Sequence, residues 1–317
     1  MTDSTVWQDV NAALGGEYLL VRESPQAAGF NAFFARSKRN PTNVEIKTVP
    51  LSILAGAGPK ETDLAARKVQ HPNILPIVDA GSLGGTFYWM SPAIDGRTLR
   101  ARLSRGGKME VGDALTILRD VSAGLTHAHL HGVIHGGLTP ASVILSGGSA
   151  LVSDLGIPEA FDALRRSGTR SASAAQAAIE PLRYSSPEQA SGAAADARSD
   201  VYAWGVIAYE LLGGRHPFAG RTTPRQMMAA HADEEPLQLS TGPSSVPSGV
   251  TRLVMRCLSK DPSKRPEAAR EVFAVMTKEL LTPPPAPKAG SGQKFAIAFL
   301  VAAVVLIALI AWLGMRP

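Results

Sequence analysis

Along this chain apolar and polar positions first alternate and later recur at helical spacing. "EYLLVRES" (17–24), "FNAFFARS" (30–37) and "VEIKTV" (44–49) are short runs rich in β-branched and aromatic side chains, a pattern that predicts strands. The turn-prone "PQAAG" (25–29) and "KRNPTN" (38–43) separate them. From Pro59 the pattern changes. "KETDLAARKVQ" (60–70) and "ALTILRDVSAGLTHAHLHG" (114–132) place apolar residues three and four apart, which predicts amphipathic helices. Strands first and helices afterwards predict an α+β body of two lobes, with no repeat at a fixed period.

The far end follows a third pattern. From Phe295 to Met315, "FAIAFLVAAVVLIALIAWLGM", every position is uncharged and most are apolar. About 20 such residues at ~1.5 Å each span a hydrocarbon core, so 295–315 is expected to be a single transmembrane helix, with Trp312 as an interfacial anchor. Lys288 and Lys294 precede it and only Arg316 and Pro317 follow, a bias that puts the N-terminal side in the cytoplasm. Residues 282–294, "TPPPAPKAGSGQK", mix proline with glycine and serine as a tether does. The expected order is thus an N-terminal extension (1–16), a folded body (17–281), a linker (282–294) and a membrane helix. Small residues such as Ala298 and Ala302 would suit pairing of two such helices, that is, dimerisation.

Charge and cysteine change this picture little. The formal charge is +5, but 32 basic residues are interleaved with 27 acidic ones rather than gathered in a stripe, which argues against nucleic acid as a partner. Cys257 is the single cysteine, so no internal disulfide forms, and the composition fits a reducing compartment. The start, "MTDSTVWQDVNAAL", has no continuous apolar run and does not read as a secretory signal.

The motifs narrow the chemistry. "VEIK" ends at Lys47, "HPNILPIVDAG" follows at 71–81, and "HGVIHGGLTPASVIL" lies at 131–145. "VSDLG" holds Asp154 and Gly156, "YSSPEQ" holds Glu188, "RSDVYAWGVIAYELLGGRHPF" holds Asp200, and "CLSKDPSKRP" holds Arg265. Alone, each is ordinary: a lysine at a strand end, an aspartate in a turn. In this order, from about Glu17 to Leu281, the chain resembles the eukaryotic-like serine/threonine protein kinases of bacteria. The resemblance implies a bilobal protein-kinase-like fold, with an N-lobe over about 17–91 and a C-lobe over about 96–281. It also implies ATP with magnesium as cofactor, Lys47 on the phosphates and Asp154 on the metal. By the same resemblance His135, Gly156, Glu188, Asp200 and Arg265 are structural, Asp200 fixing the catalytic-loop backbone and Glu188 pairing with Arg265.

The chain then departs from the pattern. Aligned on His135 and Pro140, Gly136 stands at the arginine of the family's H-R-D signature and Gly137 at its catalytic aspartate. Thr139 replaces the following lysine, and Ser142 the metal-binding asparagine. Glycine accepts no proton, and losing a positioned base forfeits about 10² to 10⁴ in rate, or roughly 3–5 kcal/mol. Ser142 remains a neutral oxygen for magnesium, weaker than a carboxylate. Where a glycine-rich loop would cover phosphate, "ESPQAAGFNAFF" offers only Gly29, and Pro25 lacks an amide hydrogen. For the helix glutamate that would pair with Lys47, Glu61 and Asp63 flank the expected spacing and Thr62 sits on it; Glu61 is the candidate. Pro92 falls near where adenine would meet the backbone. ATP binding is therefore expected to be weak.

Between Asp154 and Glu188 lies "IPEAFDALRRSGTRSASAAQAAIEPLRY", with Thr169, Ser171 and Ser173 beside Arg165, Arg166 and Arg170. These are candidate phosphosites for an upstream kinase, and a phosphate there would engage nearby guanidiniums or recruit a phosphopeptide-reading domain. Pro181 replaces the threonine of the substrate-docking turn. Two readings stand. One is a membrane-tethered pseudokinase acting as a signalling scaffold or regulator; the other is a weakly active serine/threonine kinase whose base comes from elsewhere, Asp162 or the substrate.

Overall fold

The alternating stretches form strands within a residue or two of their sequence limits. A computed structural model of the chain describes residues 5–23, 31–39, 42–50, 69–83, 85–106, 109–157, 181–239 and 246–281. Strands β1 (Tyr18–Glu23), β2 (Asn31–Ser37), β3 (Asn43–Pro50), β4 (Asp79–Leu83) and β5 (Thr86–Pro92) make one antiparallel sheet in the order β1-β2-β3-β5-β4.

Because strand residues alternate between faces, this sheet has two distinct surfaces. Val44 and Ile46 of β3 join Phe33, Ala35, Tyr88 and Met90 on one face. That face is covered by helix α1 (Thr5–Ala13), whose Trp7 and Val10 are buried in it, the Trp7 ring 5.3 Å from Phe33. The Tyr18 amide donates to Asn11 Oδ1 at 3.2 Å and fixes the helix to the first strand. The described part of the expected N-terminal extension, residues 1–16, thus contributes Trp7 and Val10 to the core of the N-terminal sheet, where they cover apolar side chains that would otherwise face water.

The opposite face carries Lys47, Val49, Phe87 and Trp89, and it looks toward the second half of the chain. Val49, Phe87 and Trp89 bury against Ile74, Ile77, Ala128, Val133, Leu155 and others. The backbone crosses here as well: Leu75 N donates to Val152 O at 2.8 Å, and Val152 N to Asn73 O at 2.9 Å.

After β5, β6 (Arg97–Thr98), β7 (Val143–Ser146) and β8 (Ser149–Val152) form a small sheet in that order. Helices α2 (Leu99–Ser104), α3 (Val111–Leu130), α4 (Pro187–Ala190), α5 (Ala197–Gly213), α6 (Pro224–Asp233), α7 (Ser248–Cys257) and α8 (Ala269–Leu281) build the rest of the described body. From Val201 to Tyr209 α5 is apolar all round, and this stretch runs through the main core, as such a helix must. Its start is set by Asp196, whose carboxylate accepts from the amides of Arg198 and Ser199. Trp204 is fully buried and donates to Leu118 O at 3.0 Å. At Gly205 a methyl group would stand 2.7 Å from Cys257 Cβ, so α5 and α7 meet closely only because that position is glycine.

No helix among the described residues is long and apolar enough to cross a membrane. The linker 282–294 and the apolar segment 295–315, with Ala298 and Ala302, lie outside the described residues. So does most of the helix expected over 60–70.

Candidate functional site: a cleft between sheet and loop

Strand β3 delivers Lys47 to the inner face, and β5 sets Trp89 directly across from it in the register. Asp154 arrives from the turn after β8. The Lys47 ammonium touches both oxygens of Asp154, at 2.8 and 2.7 Å. Trp89 Nε1 donates to Oδ1 at 2.7 Å and the Ser153 hydroxyl to Oδ2 at 3.0 Å. Each carboxylate oxygen therefore accepts from two donors. The Glu45 carboxylate, two residues along the same face, lies 3.7 Å from the same ammonium.

The side chains of Lys47 and Asp154 are only 7% and 15% exposed, so water contributes little to holding their charges. Burial by itself would pull the Lys47 ammonium down, but the charges of Asp154 and Glu45 and their hydrogen bonds outweigh it, and its pKa lies above the ordinary lysine value. Burial would likewise push the Asp154 carboxyl up. The Lys47 charge and the hydrogen bonds from Lys47, Trp89 and Ser153 outweigh that and hold it below the usual carboxylate range. Asp154 adopts a left-handed backbone with φ of 60°, uncommon for a residue with a side chain and held here by these contacts.

The loop from His135 to Ser142 forms the cleft's other wall. Asp200, from α5, accepts the amides of His135 at 2.8 Å and Gly136 at 2.7 Å, and it also meets His129 Nε2 at 2.8 Å. His135 is buried; its Nε2 lies 3.0 Å from Ser153 O and its Nδ1 accepts the Gly137 amide at 3.3 Å, which makes Nε2 the protonated nitrogen. Burial is the main reason its pKa falls below the ordinary histidine value. Gly136 has φ of 69°, and its carbonyl accepts from Gln189 Nε2 at 2.7 Å. Gly137 does not share that positive φ.

The two glycines thus have different explanations. Position 136 needs a left-handed backbone that a side chain resists, whereas position 137 has no such requirement, and a carboxylate there would meet no backbone penalty.

The Ser142 hydroxyl is engaged inside its own turn: it donates to Thr139 O at 3.0 Å and accepts the Thr139 amide at 3.1 Å. This caps the short turn Pro140–Ser142. Ser142 and Asp154 are brought close by the bond from Ser153 N to Ser142 O at 2.8 Å. Among the described residues no group of three histidine, cysteine, aspartate or glutamate side chains is arranged to hold a metal ion.

Deeper in the body, the Arg265 guanidinium, 1% exposed, donates to Glu188 Oε1 and Oε2 at 2.8 Å each and to the carbonyls of Ser259, Lys260 and Arg198. Burial would raise the Glu188 carboxyl, but the bonds from Arg265 and Ser199 bring it down to about 2. Tyr184 donates to Glu210 at 2.5 Å and receives a bond from Arg100. The carbonyl of Arg183, next to it, sits between the rings of His216 and His231, each 2.7 Å away. These ties fix the segment leading into α4. Gly156, two residues after Asp154, has a left-handed backbone with φ of 72°.

Gly29, Pro25, Glu61, Thr62, Asp63, Asp162, the three arginines 165, 166 and 170, and Thr169, Ser171 and Ser173 all lie outside the described residues.

Residues 46–275 match the family described as the protein kinase domain. The chain belongs to the protein kinase family. It is 35% identical over 245 residues to the serine/threonine-protein kinase pkn2 of Myxococcus xanthus, a stretch covering 71% of this chain and 28% of that protein. To the serine/threonine-protein kinase PknB of Mycobacterium leprae it is 33% identical, over 70% of this chain and 36% of the relative. To PrkC of Bacillus subtilis it is 30% identical, over 66% and 32%. The chain thus matches about a third of the length of these curated relatives, and the matched part is its kinase domain. Its fold is the protein kinase fold, with a β-sheet N-lobe and a helical region.

Trp89 and Glu45 were not singled out by sequence reading. Successive strand residues point to opposite faces, so Glu45 shares a face with Lys47, and Trp89 with Ser91. Only the strand register places Trp89 opposite Lys47.

Proposed function

We propose that this chain is a membrane-tethered pseudokinase, a kinase-fold body that acts at the cytoplasmic face as a docking or regulatory partner and transfers little or no phosphate. The observation that carries this reading is the state of the cleft's carboxylates. The loop offers glycine where a proton acceptor would stand, and Asp154 has both oxygens taken by Lys47, Trp89 and Ser153. Magnesium requires free oxygen ligands in near-octahedral array, and neither Asp154 nor the engaged Ser142 hydroxyl presents one. The donor set therefore does not fit a magnesium-bound nucleotide, and no transfer step is assigned to it.

The membrane anchor rests on the uncharged length of 295–315, and partners on the serine- and arginine-rich segment around Thr169, which would take phosphate from another kinase. Fractionation of cells expressing the chain with and without residues 282–317 tests the anchor, which predicts loss of membrane association on truncation.

A second reading keeps weak serine/threonine kinase activity. It is favoured by the proximity of Lys47 and Asp154 and by the names of the relatives, all serine/threonine-protein kinases. Transfer of labelled phosphate from ATP to a generic protein substrate separates the two. The silent reading expects incorporation at the background of Lys47→Met and Asp154→Asn; incorporation that these substitutions abolish would establish the active one.

A further inference from the structure

The inner face of the sheet has a charge pattern that a triphosphate would meet first. Strand pairing puts Phe34 opposite Glu45 and Glu45 opposite Ser91, and next to this row it puts Lys47 opposite Trp89. Arg22, paired with Phe34 across β1 and β2, lays its guanidinium 3.8 Å above the Phe34 ring. Glu45 is largely enclosed, its side chain 14% exposed, and lies 3.7 Å from Lys47 Nζ. Lys47 thus stands between two carboxylates, Glu45 and Asp154.

Two physical effects follow. A polyanion approaching Lys47 must approach Glu45 as well, in a partly buried setting where unit charges a few ångströms apart interact strongly. To recruit Lys47 it must also break the Lys47–Asp154 pair, and Trp89 donates to the oxygen of Asp154 that would have to turn away. The Trp89 ring cannot readily withdraw, because it is 1% exposed and stacks on Phe87 with centroids 5.9 Å apart.

We propose that Glu45 and Trp89 are the specificity-determining residues of this cleft: they hold Lys47 and Asp154 to each other and discriminate against polyanionic nucleotides. This deepens the silent-cleft reading and rests on it. Glu45 supplies the repulsion and Trp89 the latch, so their effects should combine.

The test is binding of magnesium-ATP to the purified full chain in mild detergent, by calorimetry and by thermal melting. It compares wild type, Glu45→Gln, Trp89→Phe and the double variant. The double variant is expected to bind at least tenfold more tightly than wild type, with each single variant between them. At ligand well above its dissociation constant its melting midpoint should rise by about 5 °C. Adding Lys47→Met should remove the gain, because the freed lysine is what the phosphates would reach. Equal affinity for wild type and a folded double variant overturns the proposal. If the double variant does not melt cooperatively, Glu45→Gln alone is decisive, since it keeps the shape and removes only the charge; no gain there overturns the role of Glu45. A wild-type chain that binds ATP as tightly as the variants without transferring phosphate defeats this inference and leaves the silent reading standing. Phosphate transfer by wild type defeats the silent reading itself.

Discussion

Asp200 and Asp154 are both enclosed carboxylates surrounded by donors, and the donors are of different kinds. Asp200 accepts two backbone amides of the catalytic loop and one histidine ring. Asp154 accepts only side chains, brought from two strands of the sheet and from its own neighbour. Contacts to backbone amides define the path of the chain and survive changes of side chain. Contacts to side chains define chemistry, and a few substitutions redirect them. The C-terminal body thus keeps the devices that hold shape, Asp200 and the Glu188–Arg265 pair, while in the cleft the reactive groups are bonded to one another.

The largest effect should come from the body. Arg265 makes five hydrogen bonds while almost fully enclosed, and Arg265→Met would leave Glu188 charged and without its partner. A loss of about 3–5 kcal/mol in urea unfolding is expected, because one partner of a buried pair is removed. The same bond has an acid signature. Folding lowers the Glu188 carboxyl to about 2, below its unfolded value, so the unfolded chain binds the extra proton in the window between. The stability from this bond is complete above about pH 4.3 and is lost as pH falls toward about 2. Glu188→Gln should remove that part of the acid dependence; if its profile runs parallel to wild type through this window, the ion pair is not what holds α4 to the turn before Arg265.

The two ends of this comparison were unequally legible in the sequence. Strands β2 and β3 could be read because their β-branched and aromatic residues at 31–37 and 43–50 are set off by turn-prone segments. Gly136 and Gly137 could be placed in the loop that Asp200 holds, because collinear motifs fix their position. Helix α1 could not: Gln8, Asp9 and Asn11 break up the apolar residues of "TVWQDVNAA", and only the sheet face that Trp7 and Val10 cover gives them a reason to be buried. The latch at Asp154 was hidden for a similar reason, since which tryptophan faces Lys47 depends on cross-strand register. Ser142 reads in sequence as a free hydroxyl, and the local turn engages it.

A smaller effect is expected at Gly136. Alanine at a φ of 69° places Cβ against the backbone, which costs about 1–2 kcal/mol. Gly136→Ala should therefore lower the urea midpoint, with Gly137→Ala as the control that does not, because position 137 lacks the positive φ. Equal losses at both positions would mean that the loop excludes side chains generally and that Gly137 is structural as well.

The smallest expected change is the most informative about the cleft. Gly137→Asp puts a carboxylate back where the family places its base, on half-buried backbone that does not demand glycine. Its effect on stability should stay within about 0.5 kcal/mol, as for substitutions that disturb no packed feature. Phosphate transfer should remain at the Lys47→Met background even so, because a base activates only a hydroxyl that faces a positioned phosphoryl group, and Asp154 and Lys47 still bind each other. Combining Gly137→Asp with Glu45→Gln and Trp89→Phe tests the base and the Lys47–Asp154 pair separately. If the single substitution restores transfer, the Lys47–Asp154 pair opens readily and the missing base was the whole defect; if only the combination does, the side-chain latch is an independent barrier.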